Sequence, residues 1–127
     1  MQDKILSAIL IFVGVIHVLP VVGVFGMKRL SSLYAITVTD PNVEILMRHR
    51  AVLFGVVGAF LIYSAFHPEL QGLALLAAFF CLISFAWLML SIGGYNAKLR
   101  KVLAVDLVAI LALLIGASLF ILGSGAD

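Results

Sequence analysis

Residues 70–92 read LQGLALLAAFFCLISFAWLMLSI, and no charged side chain interrupts them. A helix needs roughly 20 apolar residues to cross the hydrocarbon core of a bilayer. Three other spans cover about residues 5–25, 41–66 and 102–122, and the second of them is fully apolar only from Ala51 onward. Because backbone groups cannot stay unpaired in lipid, each run is predicted to be a helix. The chain is therefore predicted to be all-α, an integral membrane four-helix up-down bundle.

The composition of the 127-residue chain favours the same class. Hydrophobic residues make up 65% of it and charged residues 11%, whereas soluble domains average roughly 45–50% and about 25%. A soluble core of this size could not bury so much apolar surface. Residues 1–127 are predicted to form one transmembrane domain. The sequence has no stripe of basic residues of the kind that binds nucleic acid, so no nucleic-acid partner is expected. The expected partner is membrane lipid.

Basic residues are concentrated on one side of the predicted bundle. Only Lys4 lies on the other side. The rest flank the connection between spans one and two or the connection between spans three and four: Lys28, Arg29, Arg48, Arg50, Lys98, Arg100 and Lys101. Cytoplasmic loops collect Lys and Arg. Both connections are therefore predicted to be cytoplasmic, with both termini on the non-cytoplasmic side.

The connections between the spans carry helix start and stop signals. Asp40-Pro41 is predicted to cap and begin the second span, since Asp is favoured at the N-cap and Pro at the first helical position. Gly93-Gly94 is predicted to end the third span. Residues 27–43 are predicted to form a long loop that lies partly on the membrane surface.

Each span carries one stripe of small or polar residues, which in lipid is typical of a face that packs against another helix. The stripes are Ser7, Gly14 and His17; Ala51, Gly55 and Ala59; Ala74, Ala77, Ala78, Cys81 and Ser84; and Asp106, Ala109, Leu113 and Gly116. We expect these faces to point into the bundle. The second stripe fits contacts within one bundle and contacts between two copies equally well, so a homo-oligomer is consistent with the sequence.

Ionisable residues inside the spans are candidates for function, because they are costly to place in lipid. His17 lies about midway along the first span, and Asp106 is the only carboxylate within a predicted apolar run. Both are candidate catalytic residues, since each can exchange a proton with a bound molecule. Both also fall in the half of the bundle that carries the bases, and we expect them to share one cavity there.

The start of the second span adds further charges at this end. Glu44 and Arg48 are one turn apart and are predicted to pair, and Asp106 is predicted to pair with Arg48 or Arg50. These two arginines point about 200° apart around the helix, so we expect one to face inward and the other to reach lipid phosphates. The candidate ligand-binding residues are His17, Tyr34, Glu44, Arg48, His49, Arg50, Asn96 and Asp106.

Metal and disulfide chemistry are not expected. His67 is predicted to lie at the membrane face opposite His17 and His49, and no His-x-x-His or Glu-x-x-His spacing occurs. The single cysteine, Cys81, cannot form an internal disulfide. We predict no metal site, and the sequence identifies no cofactor.

Several stretches carry a resemblance to known membrane proteins: Leu33-Tyr34, Asp40-Pro41-Asn42, residues 45–55 (ILMRHRAVLFG), Gly94-Tyr95-Asn96 and Asp106. With them the chain resembles a group of small bacterial inner-membrane proteins similar to the DoxX-like set, which implies a four-helix bundle in that membrane. Glu44 and Arg48 are also placed similarly to residues of the membrane-associated glutathione and eicosanoid enzymes (the MAPEG group). Ile45 follows Glu44, so the Glu-Arg pair of that group is absent.

Three functions are consistent with the sequence. The first is binding of a lipophilic small molecule (a quinone, an isoprenoid or a lipid), with or without chemistry on it, in a pocket in the cytoplasmic half of the bundle. The second is a non-catalytic accessory subunit of a larger membrane complex, and the third is a MAPEG-like glutathione-dependent transferase. We favour the first, because polar groups above an apolar floor are typical of ligand pockets.

Overall fold

The computed structural model describes residues 2–125, and the five α-helices found there account for most of that range. They are α1 (Gln2–Val18), α2 (Met27–Tyr34), α3 (Pro41–Ser64), α4 (Gln71–Ile92) and α5 (Ala97–Ser124). Two 3₁₀ segments, Leu19–Phe25 and Pro68–Leu70, precede α2 and α4. Three residues of the predicted domain 1–127 lie outside the described range: Met1, Ala126 and Asp127.

Four helical stretches are long and apolar enough to cross a membrane: Asp3–Phe25, Pro41–Ser64, Pro68–Ile92 and Ala97–Ser124. The prediction of an all-α, four-helix bundle is therefore confirmed, and the chain has the make-up of an integral, multi-pass membrane protein. The start and stop signals also act as predicted. The Asp40 side chain accepts a hydrogen bond from the Asn42 backbone nitrogen at 2.9 Å, and α4 ends at Gly93 and Gly94, both of which have positive φ.

The prediction of a loop over residues 27–43 is wrong for its first half, which forms α2. Tyr34 and Leu30 are one turn apart on this short helix, and both are buried against the bundle. Lys28 and Arg29 lie on its exposed side. Because α2 is short and its exposed face is polar, an apolar run could not reveal it, and its burial depends on contacts with the rest of the fold.

The fourth span begins earlier than predicted, at Ala97 rather than near residue 102. Asn96 is the reason, since its side-chain oxygen accepts a hydrogen bond from the Leu99 backbone nitrogen at 2.9 Å and caps the helix. The added turns carry Lys98 and Lys101 on helical backbone. The backbone positions of these two residues are therefore fixed relative to Asp106 on the same helix.

The spanning helices form a ring in the order α1, α3, α4 and α5, in which each helix packs against its two neighbours. The interior is made of small and aliphatic side chains that are completely buried: Leu10, Val13, Leu61, Ala74, Ala78, Ala109 and Leu113. The predicted inward stripe of α5 is confirmed in full, since Asp106, Ala109, Leu113 and Gly116 are all buried.

Helices α1 and α3 approach each other closely where they cross at Gly14 and Gly58. A Cβ atom added to Gly58 would lie 2.7 Å from the Gly14 carbonyl oxygen, so the two backbones are in direct contact. Small residues permit this proximity in lipid. The predicted stripe on α3 is thus wrong at Ala59, which is exposed. Gly58, on the adjacent position, faces α1 instead.

The first span changes its helical form after Val18. Residues 19–25 form a 3₁₀ segment with Pro20 near its start. Proline has no backbone N–H to donate, so it disfavours continuation of an α-helix. This segment follows closely after His17, and its residues Leu19 and Pro20 form part of the wall of a cavity in the bundle.

Candidate functional site

A cavity of about 410 Å³ lies at the end of the bundle that carries the bases. Four of the eight candidate ligand-binding residues line it, and each comes from a different helix: His17 from α1, Tyr34 from α2, Arg50 from α3 and Asp106 from α5. The rest of the wall is mostly apolar: Ile16, Leu19, Pro20, Leu33, Phe54, Cys81, Leu82, Phe85, Val102 and Val105. The volume falls in the range of small-molecule pockets.

Arg50 is held inside the bundle by aromatic rings. Its guanidinium carbon lies 4.5 Å from the centre of the Phe54 ring and 5.4 Å from that of Phe85. One guanidinium nitrogen donates a hydrogen bond to the Tyr34 hydroxyl at 3.2 Å. A guanidinium is weakly hydrated and stacks on aromatic faces, so this packing can hold its charge away from bulk water.

His17 is almost completely buried, with 2% of its surface exposed. Its Nδ1 is 2.9 Å from the carbonyl oxygen of Val13, one turn earlier in α1. Its Nε2 is buried and has no hydrogen-bond partner among the described residues. The ring lies against Phe54, with centroids 5.8 Å apart, so His17 and Arg50 contact the same phenyl group.

Asp106 is buried, and it does not form the ion pair predicted for it. Within residues 2–125 the one ion pair closer than 4.0 Å is that of Arg48 with Glu44. Arg50 and Asp106 line the same cavity, but the guanidinium is drawn to the Tyr34 hydroxyl and the aromatic rings. The Asp106 carboxylate therefore lines the cavity as an acceptor without a direct cationic partner.

Two lysines add positive charge to the wall formed by α5. Lys98 and Lys101 line the cavity together with Asp106, and Lys98 Nζ donates to the backbone oxygen of Ser32 at 2.6 Å. The charged residues of the cavity are therefore three cations and one carboxylate. Such a lining suits a molecule with a polar, uncharged or anionic head and an apolar remainder.

The other candidates lie outside the cavity wall. Glu44 and Arg48 form the predicted i,i+4 pair at 3.3 Å, with about a third to a half of each side chain exposed, and Arg48 Nε donates to the Val24 backbone oxygen at 2.9 Å. His49 is exposed. Arg48 therefore pairs with Glu44 and not with Asp106.

Asn96 lies outside the cavity wall too, and it joins two helices. Besides capping α5, it donates hydrogen bonds from Nδ2 to the backbone oxygens of Tyr34 at 2.7 Å and Ala35 at 3.2 Å. These contacts hold the end of α2 against the start of α5. Asn96 thus positions the Tyr34 side chain that contacts Arg50.

Two further grooves meet the main cavity at Arg50 and Phe85. One, of about 250 Å³, runs between α3 and α4 and is also lined by Leu53, Val57, Ser84 and Leu88. The other, of about 450 Å³, is bounded by Met47, Met89 and Tyr95 among others. Because Leu53 and Leu88 are largely exposed on the lipid-facing surface, the groove between α3 and α4 connects that surface with the Arg50 region.

Several residues of the cavity wall were not predicted from the sequence. Phe54 lies four residues after Arg50, and this i,i+4 spacing could have indicated that the two side chains stack. Lys98 and Lys101 precede Asp106 on α5, but a helix predicted to begin near residue 102 does not include them. Phe85 has no comparable local signal, since it reaches Arg50 from another helix.

The described residues form no metal centre. Within residues 2–125 no group of three or more His, Cys, Asp or Glu side chains is placed to hold a metal ion. His67 stacks on Tyr63 beyond the end of α3, with ring centroids 3.9 Å apart.

Comparison with protein-family models, with curated proteins and with solved structures finds no match for this chain.

Proposed function

We propose that this integral membrane protein binds a lipophilic small molecule (a quinone, an isoprenoid or a lipid) in the cavity at its basic end. One observation carries the proposal. Six polar or charged side chains from four helices line a single cavity whose other walls are mostly apolar. Polar residues are costly inside a membrane protein unless they have partners, and a bound headgroup would supply such partners.

The groove between α3 and α4, called the lateral groove below, favours a lipophilic ligand over a water-soluble one. It runs between α3 and α4, shares Arg50, Phe54, Cys81 and Phe85 with the main cavity, and is bordered by exposed apolar side chains. A molecule dissolved in the bilayer would reach the polar residues by this route without crossing water. Its headgroup would meet Arg50, and its apolar part would stay against aliphatic and aromatic side chains.

Chemistry on the bound molecule would depend on two side chains. His17 Nε2 is an acceptor without a hydrogen-bond partner among residues 2–125, and the Asp106 carboxylate lines the same cavity with no cationic group of these residues within 4.0 Å. Either could take a proton from a ligand, which is the role of a general base. We propose binding as the function and these two residues as the candidates for any proton transfer.

A bulky residue at position 81 is expected to prevent the ligand from binding. Cys81 lines both the cavity and the lateral groove, so Cys81→Trp would fill the space where they join. We expect the wild-type protein to keep a lipophilic molecule in about equimolar amount through delipidation in detergent, as measured by mass spectrometry of the extract. Cys81→Trp is expected to lose most of it.

The matched control is Phe80→Trp. Phe80 is the preceding residue on α4, and 78% of its surface is exposed toward lipid. The same indole placed there leaves the cavity unchanged, so retention should equal that of the wild type. Equal amounts of extracted molecule from wild type, Phe80→Trp and Cys81→Trp would show that the retained molecule lies elsewhere, and would contradict the proposal.

We also propose that the chain belongs to the DoxX-like set and lies in a bacterial inner membrane, with the basic end in the cytoplasm. The charge asymmetry supports this orientation. To test it, Ala97→Cys at the basic end and Glu69→Cys at the opposite end are each introduced into a Cys81→Ser background. In right-side-out vesicles a membrane-impermeant maleimide is expected to label only position 69. Labelling of position 97 alone would reverse the orientation.

A further inference from the structure

The hydrogen bond of His17 determines which of its ring nitrogens is free to accept. The carbonyl oxygen of Val13, 2.9 Å from Nδ1, can only accept a hydrogen bond. Among residues 2–125 no carboxylate lies within 4.0 Å of the ring to act as a counter-ion. In the neutral imidazole the single proton is therefore on Nδ1, and Nε2 presents a lone pair. That atom is buried and unpartnered within the described chain.

The neighbouring groups narrow the kind of molecule that could satisfy this acceptor. Arg50, Lys98 and Lys101 line the same cavity and would repel a positively charged headgroup such as an amine. A carbonyl or an ether offers only lone pairs, so it would leave the lone pair of Nε2 without a donor. A hydroxyl supplies the missing proton without adding positive charge. The carboxylate of Asp106 is a second acceptor in the same cavity.

We infer that the cavity selects amphiphiles whose polar end is a hydroxyl, an alcohol or a phenol, which donates its hydrogen bond to Nε2 of His17. The inference rests on the proposed function, since it specifies the ligand class of the same cavity. The hydroxyl oxygen keeps its own lone pairs available for a donor such as Arg50. The apolar part of the molecule lies along the aliphatic and aromatic wall.

Two probes that differ only at the polar end test this inference. 4-Nonylphenol carries the hydroxyl, and 4-nonylanisole has a methyl ether in its place. With the full chain in detergent, calorimetric titration is expected to give a Kd about tenfold lower for the phenol. His17→Phe keeps an aromatic ring but removes the acceptor, and it is expected to bind both probes with similar affinity.

His67→Phe is the matched control. His67 also has its Nδ1 hydrogen-bonded to the carbonyl oxygen four residues earlier, but it lies at the opposite end of the bundle. The preference for the phenol should persist in this variant. Its persistence in His17→Phe as well would overturn the assignment of Nε2 as the acceptor.

A spectroscopic measurement tests the same contact without any substitution in the cavity. In ¹⁵N-histidine-labelled protein the Nε2 resonance of His17 is expected to shift when 4-nonylphenol is added and to stay in place with 4-nonylanisole. Equal affinity of the wild type for both probes, with no shift, would overturn the hydroxyl inference and leave a lipophilic pocket. Binding of neither probe would count against the proposed function itself.

Discussion

Alanine in place of Gly58 is expected to lower the free energy of unfolding by about 3 kcal/mol, at the upper end of the range for overpacked interiors. The new Cβ would lie 2.6 Å from Val18 Cγ2, 2.7 Å from the Gly14 oxygen and 3.1 Å from the Val18 nitrogen. A side chain can rotate away from such a contact, but two of these atoms belong to backbone. Helices α1 and α3 would therefore have to separate along their crossing.

Unfolding in mixed micelles of dodecyl maltoside and sodium dodecyl sulfate, followed by circular dichroism, would measure this loss. Ala59→Val provides the control, because Ala59 is the next residue of α3 and its side chain is exposed. Its effect is expected to stay within about 0.5 kcal/mol, as for other surface substitutions. If the two variants were equally stable, the backbones of α1 and α3 would not be in close contact at their crossing.

Removal of the Asn96 side chain is expected to lower the free energy of unfolding by about 2–3 kcal/mol. Loss of an N-cap accounts for about 1 kcal/mol, and the lost hydrogen bonds to the carbonyl oxygens of Tyr34 and Ala35 add about 1 kcal/mol or more. The substitution should also perturb the cavity. Without Asn96 to hold the end of α2, the Tyr34 hydroxyl should no longer accept its hydrogen bond from Arg50.

Two further variants separate the two roles of Asn96. Asn96→Asp keeps an oxygen that can accept from the Leu99 nitrogen but can no longer donate to the carbonyl groups, so about half of the loss should remain. Asn42→Ala is the matched control, because the Asn42 side chain lies on the exposed surface beside another helix cap. The same micelle titration applies to all three variants. An Asn96→Ala protein as stable as Asn42→Ala would contradict the bridging role of Asn96.

The helix ends show how far local sequence signals reach. Asp40-Pro41 and Gly93-Gly94 act where they were predicted, because capping and left-handed backbone depend on the residues at the helix end itself. Asn96 gives the same kind of signal, since it too is a favoured N-cap residue. Hydropathy does not mark this start, because the beginning of the helix carries Lys98, Arg100 and Lys101 and the apolar run begins only after them.

The cavity was predictable only in part. His17 and Asp106 stand out in the sequence because ionisable side chains are rare within apolar runs, and both are buried beside the same cavity. Periodicity also showed that Arg48 and Arg50 point to different sides of α3. It could not show which of them faces inward, because that depends on the rotation of α3 about its axis.

The sequence by itself determined that the chain forms four apolar helices of membrane-spanning length, where α3 begins and α4 ends, and which side of the bundle carries the bases. These properties follow from local hydrophobicity and helix-end chemistry. Only the tertiary structure decided that Arg50 lines the cavity while Arg48 pairs with Glu44 at the surface. The rotation of α3 depends on packing such as the backbone contact of Gly58 with Gly14, which joins residues far apart in the chain.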